Sequence, residues 1–329
     1  MNGQALPEAT AFLPAWGLGN PHAQTIWPYY LRRSAPPSVV REVWDLPDGD
    51  VLDVVRLPER EGRPLVVVLH GLEASADAPY VRGMLARVAE RGWNGVAISM
   101  PTCGPSPSRQ GRLYHSGKTD EVDAVMERLA ARWGGVPRGA VGFSMGGNML
   151  LKWLGERGDG APLTAAVVVS VPFELGLCAG QLDRPGVFSF LYRERFLRSL
   201  RRKARRLSRL QRAPFLLADV AAARTFALFD ELITSRLFGF EGAEDYWRRS
   251  SSAGFLSRVE RPTLAIAAED DPFVPLEAVP REAFARNPHL TLWLAKQGGH
   301  VGFMGGSWRR PRMVAEEAAM LFLRRHLGD

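Results

Sequence analysis

The chain has 329 residues, of which 46% are hydrophobic and 23% charged, enough apolar sequence for a large core in one domain with an insertion or in two domains. Its longest apolar runs, such as residues 65–69 and 165–169, fall far short of the roughly 18 residues a membrane-spanning helix needs, and two cysteines, Cys103 and Cys178, form neither a disulfide framework nor a zinc pattern. The formal charge of +7 is concentrated: the stretch from Arg193 to Arg212 holds nine Arg, one Lys and one Glu, a net of +9 that leaves −2 for the remainder, which argues against a global nucleic-acid-binding signature.

The opening MNGQALPEATAFLPAW lacks a basic start followed by an unbroken apolar stretch, so it does not read as a secretory signal, and the cytoplasm is the expected compartment. Two β-rich runs, residues 39–46 and 51–57, flank Pro47-Asp48-Gly49-Asp50 and predict an antiparallel hairpin, since the turn supplies a proline and a glycine. From Leu65 the pattern becomes strand 65–69, helix 79–91, strand 94–100, helix 118–133, strand 139–143, helix 146–156 and strand 165–171. That alternation predicts βαβ units, and strands apolar along their whole length predict a mostly parallel sheet covered on both faces. The rhythm breaks after Val171: residues 172–255 are helical, arginine-rich and aromatic, without a strand of similar quality. Strands 263–268 and 290–295 then restore it.

Gly142-Phe143-Ser144-Met145-Gly146 matches G-x-S-x-G directly after an apolar strand and directly before a helix, the strand–turn–helix context of a nucleophile elbow. The flanking glycines let the backbone turn sharply, and the helix N-terminus offers N–H groups where an oxyanion would form. A serine hydroxyl needs a base and an orienting acid. Of six histidines, His22, His70 and His115 precede the serine, His289 stands at a strand entrance and His326 at the end of the last helix. His300, in the glycine-rich GGHVGF after the last strand, fits the chain order Ser, acid, His. Glu269, Asp270 and Asp271 compete for the acid at the end of strand 263–268. Asp271 is favoured because Pro272 imposes an extended or turn geometry on it, with Asp270 the runner-up. The loop His70-Gly71-Leu72 after the first parallel strand assigns the oxyanion-binding N–H groups to Leu72 and Met145, with His70 orienting the loop.

Several motifs together resemble one family: FLPAW and HAQTI near the start, LPDGD, HGLEAS with PYVRG, LYHSGKTDEV, GFSMGGNMLLKWLGE, DDPFVP and GGHVGF. Over nearly its whole length the chain is similar to the YheT-like branch of the α/β-hydrolases, also called type 4 AB-hydrolases. The resemblance implies carboxylic-ester hydrolysis by a triad of Ser144, Asp271 and His300, and its eukaryotic relatives include lipid-acting hydrolases and acyltransferases. Where that family has an Arg-Gly-Cys stretch, this chain has Pro101-Thr102-Cys103-Gly104, so the pocket beside that loop is expected to differ.

The expectation is therefore an α/β-hydrolase fold, with a core of residues 1–171 and 256–329, an N-terminal antiparallel hairpin, and residues 172–255 as a helical cap over the carboxyl ends of the strands. The expected chemistry is ester cleavage through an acyl-enzyme, requiring no metal or organic cofactor. Acyl transfer to an alcohol and a non-catalytic interaction module are the alternatives. The substrate is a small-molecule or lipid ester, and nucleic acid is not expected as a partner. Within the insertion Phe196, Leu200, Leu207 and Leu210 recur at near-helical spacing with arginines between. Such a helix can pack one face and turn the other either to solvent or to anionic lipid. His22 and His115 are expected to be structural.

Overall fold

The computed structural model describes residues 12–32, 37–110, 113–209, 213–307 and 309–328. Asn20 opens the first helix, α1 (Pro21–Leu31), by accepting from the His22 and Ala23 N–H groups, and Pro21 sits where a helix has no use for an N–H. Strands β1 (Val40–Asp45) and β2 (Val51–Arg56) follow as the antiparallel hairpin, their turn closed through Leu46 and Asp50 with Gly49 at φ +83.

The hairpin is one edge of a larger sheet, because β2 also pairs antiparallel with β4 (Asn94–Ser99). Strand β3 (Leu65–Leu69) pairs parallel with β4 on one side and with β5 (Arg138–Phe143) on the other, and the parallel run continues through β6 (Ala165–Val169), β7 (Thr263–Ala268) and β8 (Leu290–Ala295). Among the described residues the order is β1-β2-β4-β3-β5-β6-β7-β8. Both faces are covered, as apolar strands require. Leu65, Val67 and Leu69 join a core with α3 (Asp120–Arg132) and α4 (Met145–Arg157), while Val66 and Val68 face α2 (Pro79–Glu90) and the C-terminal helix.

Between β6 and β7 the chain forms α5 (Leu175–Asp183), α6 (Val187–Arg209), α7 (Leu217–Ala222), α8 (Phe226–Phe229), a π-helical turn Asp230–Thr234, α9 (Ser235–Phe238) and α10 (Ala243–Ser250). The buried stripe of α6 is Leu197, Leu200, Ala204 and Leu207. Phe196 is half-buried and lines a cavity instead, and Leu210 and Arg212 lie outside the described residues. After α11 (Arg281–Arg286) and β8, the GGHVGF loop does not run straight into the last helix. A second hairpin, β9 (Met304–Ser307) with β10 (Arg310–Met313), intervenes before α12 (Val314–Leu327). Among the described residues no helix is long and apolar enough to cross a membrane.

Helix α1 is anchored at its end by an ion pair inside the protein. Arg32 donates to both oxygens of Glu316 on α12 at 2.6 and 2.7 Å, with side chains 8% and 5% exposed. Gly83 leaves the room for it, since a Cβ there would fall 2.0 Å from the guanidinium. Burial holds the Glu316 carboxyl above its usual range despite the arginine, so desolvation outweighs the attraction and the pair matters chiefly because neither partner tolerates being left alone. Arg32→Met is expected to cost about 3 kcal/mol in urea unfolding, and Arg32→Met with Glu316→Leu to recover most of it. Equal losses in the single and double variants would contradict this account.

Candidate active site

Ser144 stands between β5 and α4 at φ +51, ψ −120, a region a side-chain-bearing residue rarely adopts. Its N–H donates to Val169 O at 2.8 Å, and its carbonyl accepts from the Gly147 and Asn148 N–H groups as α4 begins. The neighbouring glycines have no space for side chains. A Cβ on Gly142 would lie 2.6 Å from Gly147 Cα, and one on Gly146 would lie 2.5 Å from His70 O. The elbow is thus pressed against the end of β3. Asn148, fully buried, donates to Ser116 O and Ser250 O and accepts from Ser252 N–H, tying the start of α4 to the segment that returns from α10.

His300 Nε2 lies 2.9 Å from Ser144 Oγ, and its Nδ1 lies 2.9 and 3.1 Å from the two oxygens of Asp271. A carboxylate accepts, so Nδ1 carries the proton and Nε2 is free to accept from the serine hydroxyl. Both side chains are sheltered, 9% and 1% exposed. Asp271 is aimed by its own turn, where Oδ1 accepts from the Phe273 and Val274 N–H groups. Asp270 points elsewhere: Oδ1 accepts from Gly299 N–H at 2.9 Å.

The loop carrying His300 is held by α1. Thr25 Oγ1 accepts from His300 N–H at 3.0 Å and donates to Pro21 O, while the Gln24 amide clamps both the N–H and the carbonyl of Met304. Gly302 permits the approach, because a Cβ there would sit 2.0 Å from Gln24 O. Val301 and Phe303 take positive φ, and Ser170 Oγ accepts from Val301 N–H. In the sequence HAQTI stands only as one of the motifs of the family resemblance, with no role assigned to Gln24 or Thr25. Asn20-Pro21, a cap followed by proline, was the available signal for a helix there.

Leu72 and Met145, whose N–H groups the sequence assigns to an oxyanion, both line a cavity with Ser144, and among the described residues neither N–H has an acceptor. The loop bearing Leu72 is rigidly held. His70, fully buried, donates from Nδ1 to Gly71 O at 2.7 Å and accepts at Nε2 from Met100 N–H at 2.9 Å, and burial pushes its pKa down to about 4. Gly71 N–H donates to Tyr80 Oη. Glu73, at φ +52, is gripped by the Tyr114 hydroxyl and by Lys203 of α6 at 2.6 Å. Lys203 also lies 3.4 Å from Cys103 Sγ, so the Pro101–Gly104 stretch meets α6 there, and it does not line either of the cavities at Ser144.

His115 and His22 lie away from this line. His115 Nδ1 accepts from Gly117 N–H amid Phe238, Phe240 and Tyr246, and burial pushes its pKa down to about 3. His22 stacks on Phe188 at 3.8 Å with Nδ1 3.1 Å from Tyr192 Oη. Two cavities meet at Ser144. The outer one, about 120 Å³, opens between α1 and α6 beside Tyr29, Tyr30, Arg32 and Arg195. The inner one, about 90 Å³, lies beneath α5, α8 and α10. Leu72, Phe196, Phe273 and His300 border both.

The profile of the α/β-hydrolase fold family matches residues 64–307. The chain is 37% identical over 310 residues to the Escherichia coli protein named "Putative esterase YheT", covering 93% of this chain and 90% of that one. It is 32% identical to mouse phospholipase ABHD3 over 251 residues and 28% identical to the monoacylglycerol lipase of Saccharomyces cerevisiae over 265, covering 75% and 78% of this chain but 60% and 59% of theirs. Among solved structures, the Pyrococcus furiosus esterase Pf2001 superposes with a TM-score of 0.59 at 16% identity, covering 90% of this chain and 97% of that one. Est1E of Butyrivibrio proteoclasticus, solved with ferulic acid, gives 0.58 at 15%, covering 88% and 100%. These last two are likenesses of fold.

The buried histidines make a prediction about acid stability. Both have folded pKa values below the unfolded value of 6.5, so between pH 6.5 and about 4 the unfolded chain binds more protons and stability falls with pH. Each contributes up to about 1.4 kcal/mol per pH unit in that window. The carboxyl of Asp230, raised to about 6, acts in the opposite sense, so the comparison must be between variants. Urea unfolding from pH 6.5 to 5 should show a shallower loss for His115→Gln than for the wild type. An unchanged slope would mean that His115 titrates normally.

Proposed function

The chain belongs to the YheT-like branch of the α/β-hydrolase fold family, and from that premise we propose that it is a serine hydrolase that cleaves carboxylic esters through an acyl-enzyme, with Ser144, His300 and Asp271 as its triad. The observation that carries the reading is the line of sheltered contacts from Asp271 to His300 to Ser144 Oγ, each 2.9 Å, ending on a serine in a strained elbow. Ser144 Oγ attacks the ester carbonyl while its proton passes to His300 Nε2. The carbonyl oxygen becomes an anion facing the Leu72 and Met145 N–H groups. Collapse expels the alcohol, which takes the proton from Nε2, and a water follows the same path in reverse to free the acid. Asp271 holds the tautomer and offsets the imidazolium charge. An alcohol in place of that water would make the same site an acyltransferase.

We read residues 172–255 as the cap of this site, since Leu175, Cys178, Phe196 and Phe226 wall the cavities at Ser144. One helix of the cap supports a second element of the proposal, a peripheral contact with anionic lipid. Arg201 and Lys203 are engaged by Glu194 and Glu73, but Arg198, Arg202, Arg205, Arg206 and Arg209 are exposed. The other half of α6 exposes Val187, Phe188, Phe190 and Leu191, and α1 exposes Trp27 and Tyr30 beside the outer cavity. Exposed apolar side chains with arginines along the same helix suit an interfacial enzyme.

Ser144→Ala and His300→Ala should each lower kcat on an activated ester by about 10⁴-fold or more, with the double variant little worse. Additive losses would mean that they do not act as a unit. Asp271→Asn should lose most of kcat and Asp270→Asn little. The reverse ranking would move the role to Asp270, and a failure of Ser144 to react with a fluorophosphonate probe would favour a non-catalytic module.

For the membrane contact, replacing Arg202, Arg205, Arg206 and Arg209 by Gln should weaken sedimentation with anionic liposomes, at about 1 kcal/mol per residue near the surface. Added salt should do the same, since screening acts over about 10 Å at 0.1 M. A wild type that ignores anionic liposomes at low salt would refute the contact.

A further inference from the structure

The inner cavity contains a carboxylate that the proposed triad does not use. Asp230 opens the π-helical turn after α8 and borders the same cavity as Ser144, Met145 and His300. Trp247 Nε1 donates to its Oδ2 and Thr234 Oγ1 to its Oδ1, each at 2.8 Å. These neutral donors orient the carboxylate without offsetting its charge. In a chain of net charge +7, no Lys or Arg among the described residues forms an ion pair with it, and the charge that acts on it is another acid, Asp183. Burial accordingly raises its pKa to about 6. A partly buried carboxylate without a cation is costly unless something else supplies the positive charge.

The rest of the wall says what that could be. Phe196, Phe226, Tyr246, Trp247 and Phe273 border the cavity. Phe196 lies 6.3 Å from Phe226 and 5.9 Å from Phe273, ring centre to ring centre. Aromatic rings around a carboxylate are the surroundings in which an ammonium group is bound, held by ring faces and by Coulomb attraction at once. A small aromatic cavity would admit a neutral hydrocarbon equally well; the uncompensated acid is what separates the two. The outer cavity lacks this character, because Arg32 and Arg195 line it.

We propose that the inner cavity is a subsite for a quaternary ammonium group of the substrate, with Asp230 as its counter-charge and the five rings as its cage. The preferred esters then carry that ammonium a few bonds from the carbonyl that Ser144 attacks. This rests on the serine-hydrolase reading for turnover, but not for binding.

The test compares charged esters with neutral ones of the same shape, one pair for each side of the ester bond. Butyrylcholine is set against 3,3-dimethylbutyl butyrate. The p-nitrophenyl ester of 4-(trimethylammonio)butanoate is set against that of 5,5-dimethylhexanoate. In wild type, kcat/KM should favour the charged member of at least one pair by about tenfold or more, and Asp230→Asn should bring that ratio close to one. Calorimetric titration with tetramethylammonium should show binding to Ser144→Ala that is lost in Ser144→Ala with Asp230→Asn. Hydrolysis of p-nitrophenyl acetate together with equal rates within both pairs would overturn the ammonium subsite and leave the hydrolase reading standing. If no ester is cleaved, the hydrolase reading fails, and the calorimetry alone decides the subsite: absence of tetramethylammonium binding to the Ser144→Ala protein overturns it. Because that comparison begins with Asp230 in place, a folding defect in Asp230→Asn cannot rescue the proposal.

Discussion

The backbone at Ser144 is the constraint around which the rest is arranged. Holding a serine at φ +51 costs on the order of 1–3 kcal/mol and persists when its surroundings leave no alternative. They leave none here: its N–H is committed to Val169 O, and the glycines at 142 and 146 let α4 and the end of β3 close in where any Cβ would collide. The same contact fixes the distance between two loops. Because Gly146 touches the backbone of Leu69 and His70, the residues that follow, Gly71 and Leu72, are brought beside the serine. His70 then locks that loop from beneath with two hydrogen bonds, which accounts for a buried imidazole that takes no part in the Ser144–His300–Asp271 line.

How much of this was legible in the chain depended on whether one segment sufficed to determine the answer. Strands 263–268 and 290–295 have the ends the sequence implied, because each is an apolar run bounded by turn residues. The hairpin β9–β10 was missed: MGGS and RPRM contain two glycines, two arginines and a proline, and carry no alternation. Helix α1 was missed because Pro28 interrupts it and its polar residues face a loop about 280 positions away in the chain. The stripe of α6 is displaced by one residue from part of the spacing read in the sequence. Phe196 and Leu197 both fit a helical period, and packing, which the period does not contain, buries Leu197. The choice between Asp270 and Asp271 was the least legible step. Adjacent side chains at a strand end diverge, and which one meets His300 depends on the turn through Phe273 and Val274 and on the partner loop at Gly299.

Residues 172–255 have two electrostatic sides, which the composition alone conceals. The arginines of α6 make the chain basic, yet the cavity beneath the neighbouring helices holds Asp230, which among the described residues has no cation paired with it. Two basic residues of α6 are drawn inward to specific acids: Arg201 to Glu194, and Lys203 to Glu73 in the loop beside Leu72. The second of these is structural in a particular way. Glu73 has 5% of its side chain exposed, so Lys203 offsets a charge that burial would otherwise penalise, and it does so across the junction between core and insertion. The insertion therefore contributes to holding the loop beside Leu72 as well as to walling the cavities.

The histidine side of the site has a different dependence. GGHVGF supplies the flexibility to reach Ser144, with glycines at 298, 299 and 302 and positive φ at Val301 and Phe303, and it meets the sheet where Asp270 and Ser170 take the Gly299 and Val301 N–H groups and Phe303 is buried. The remaining order comes from the far end of the chain: Thr25 takes the His300 N–H, Gln24 clamps Met304, and Arg32 secures α1 to α12 through Glu316. The sheet and its elbow are complete without α1, since none of the strand pairings involves it. The 2.9 Å approach of Nε2 to Oγ depends on more than the sheet, because the N–H of His300 itself goes to Thr25 of α1. The HAQTI segment thus belongs with Ser144 and Asp271 in what the geometry requires. It contributes no reacting atom, but it turns a glycine-rich loop into a fixed support for the imidazole.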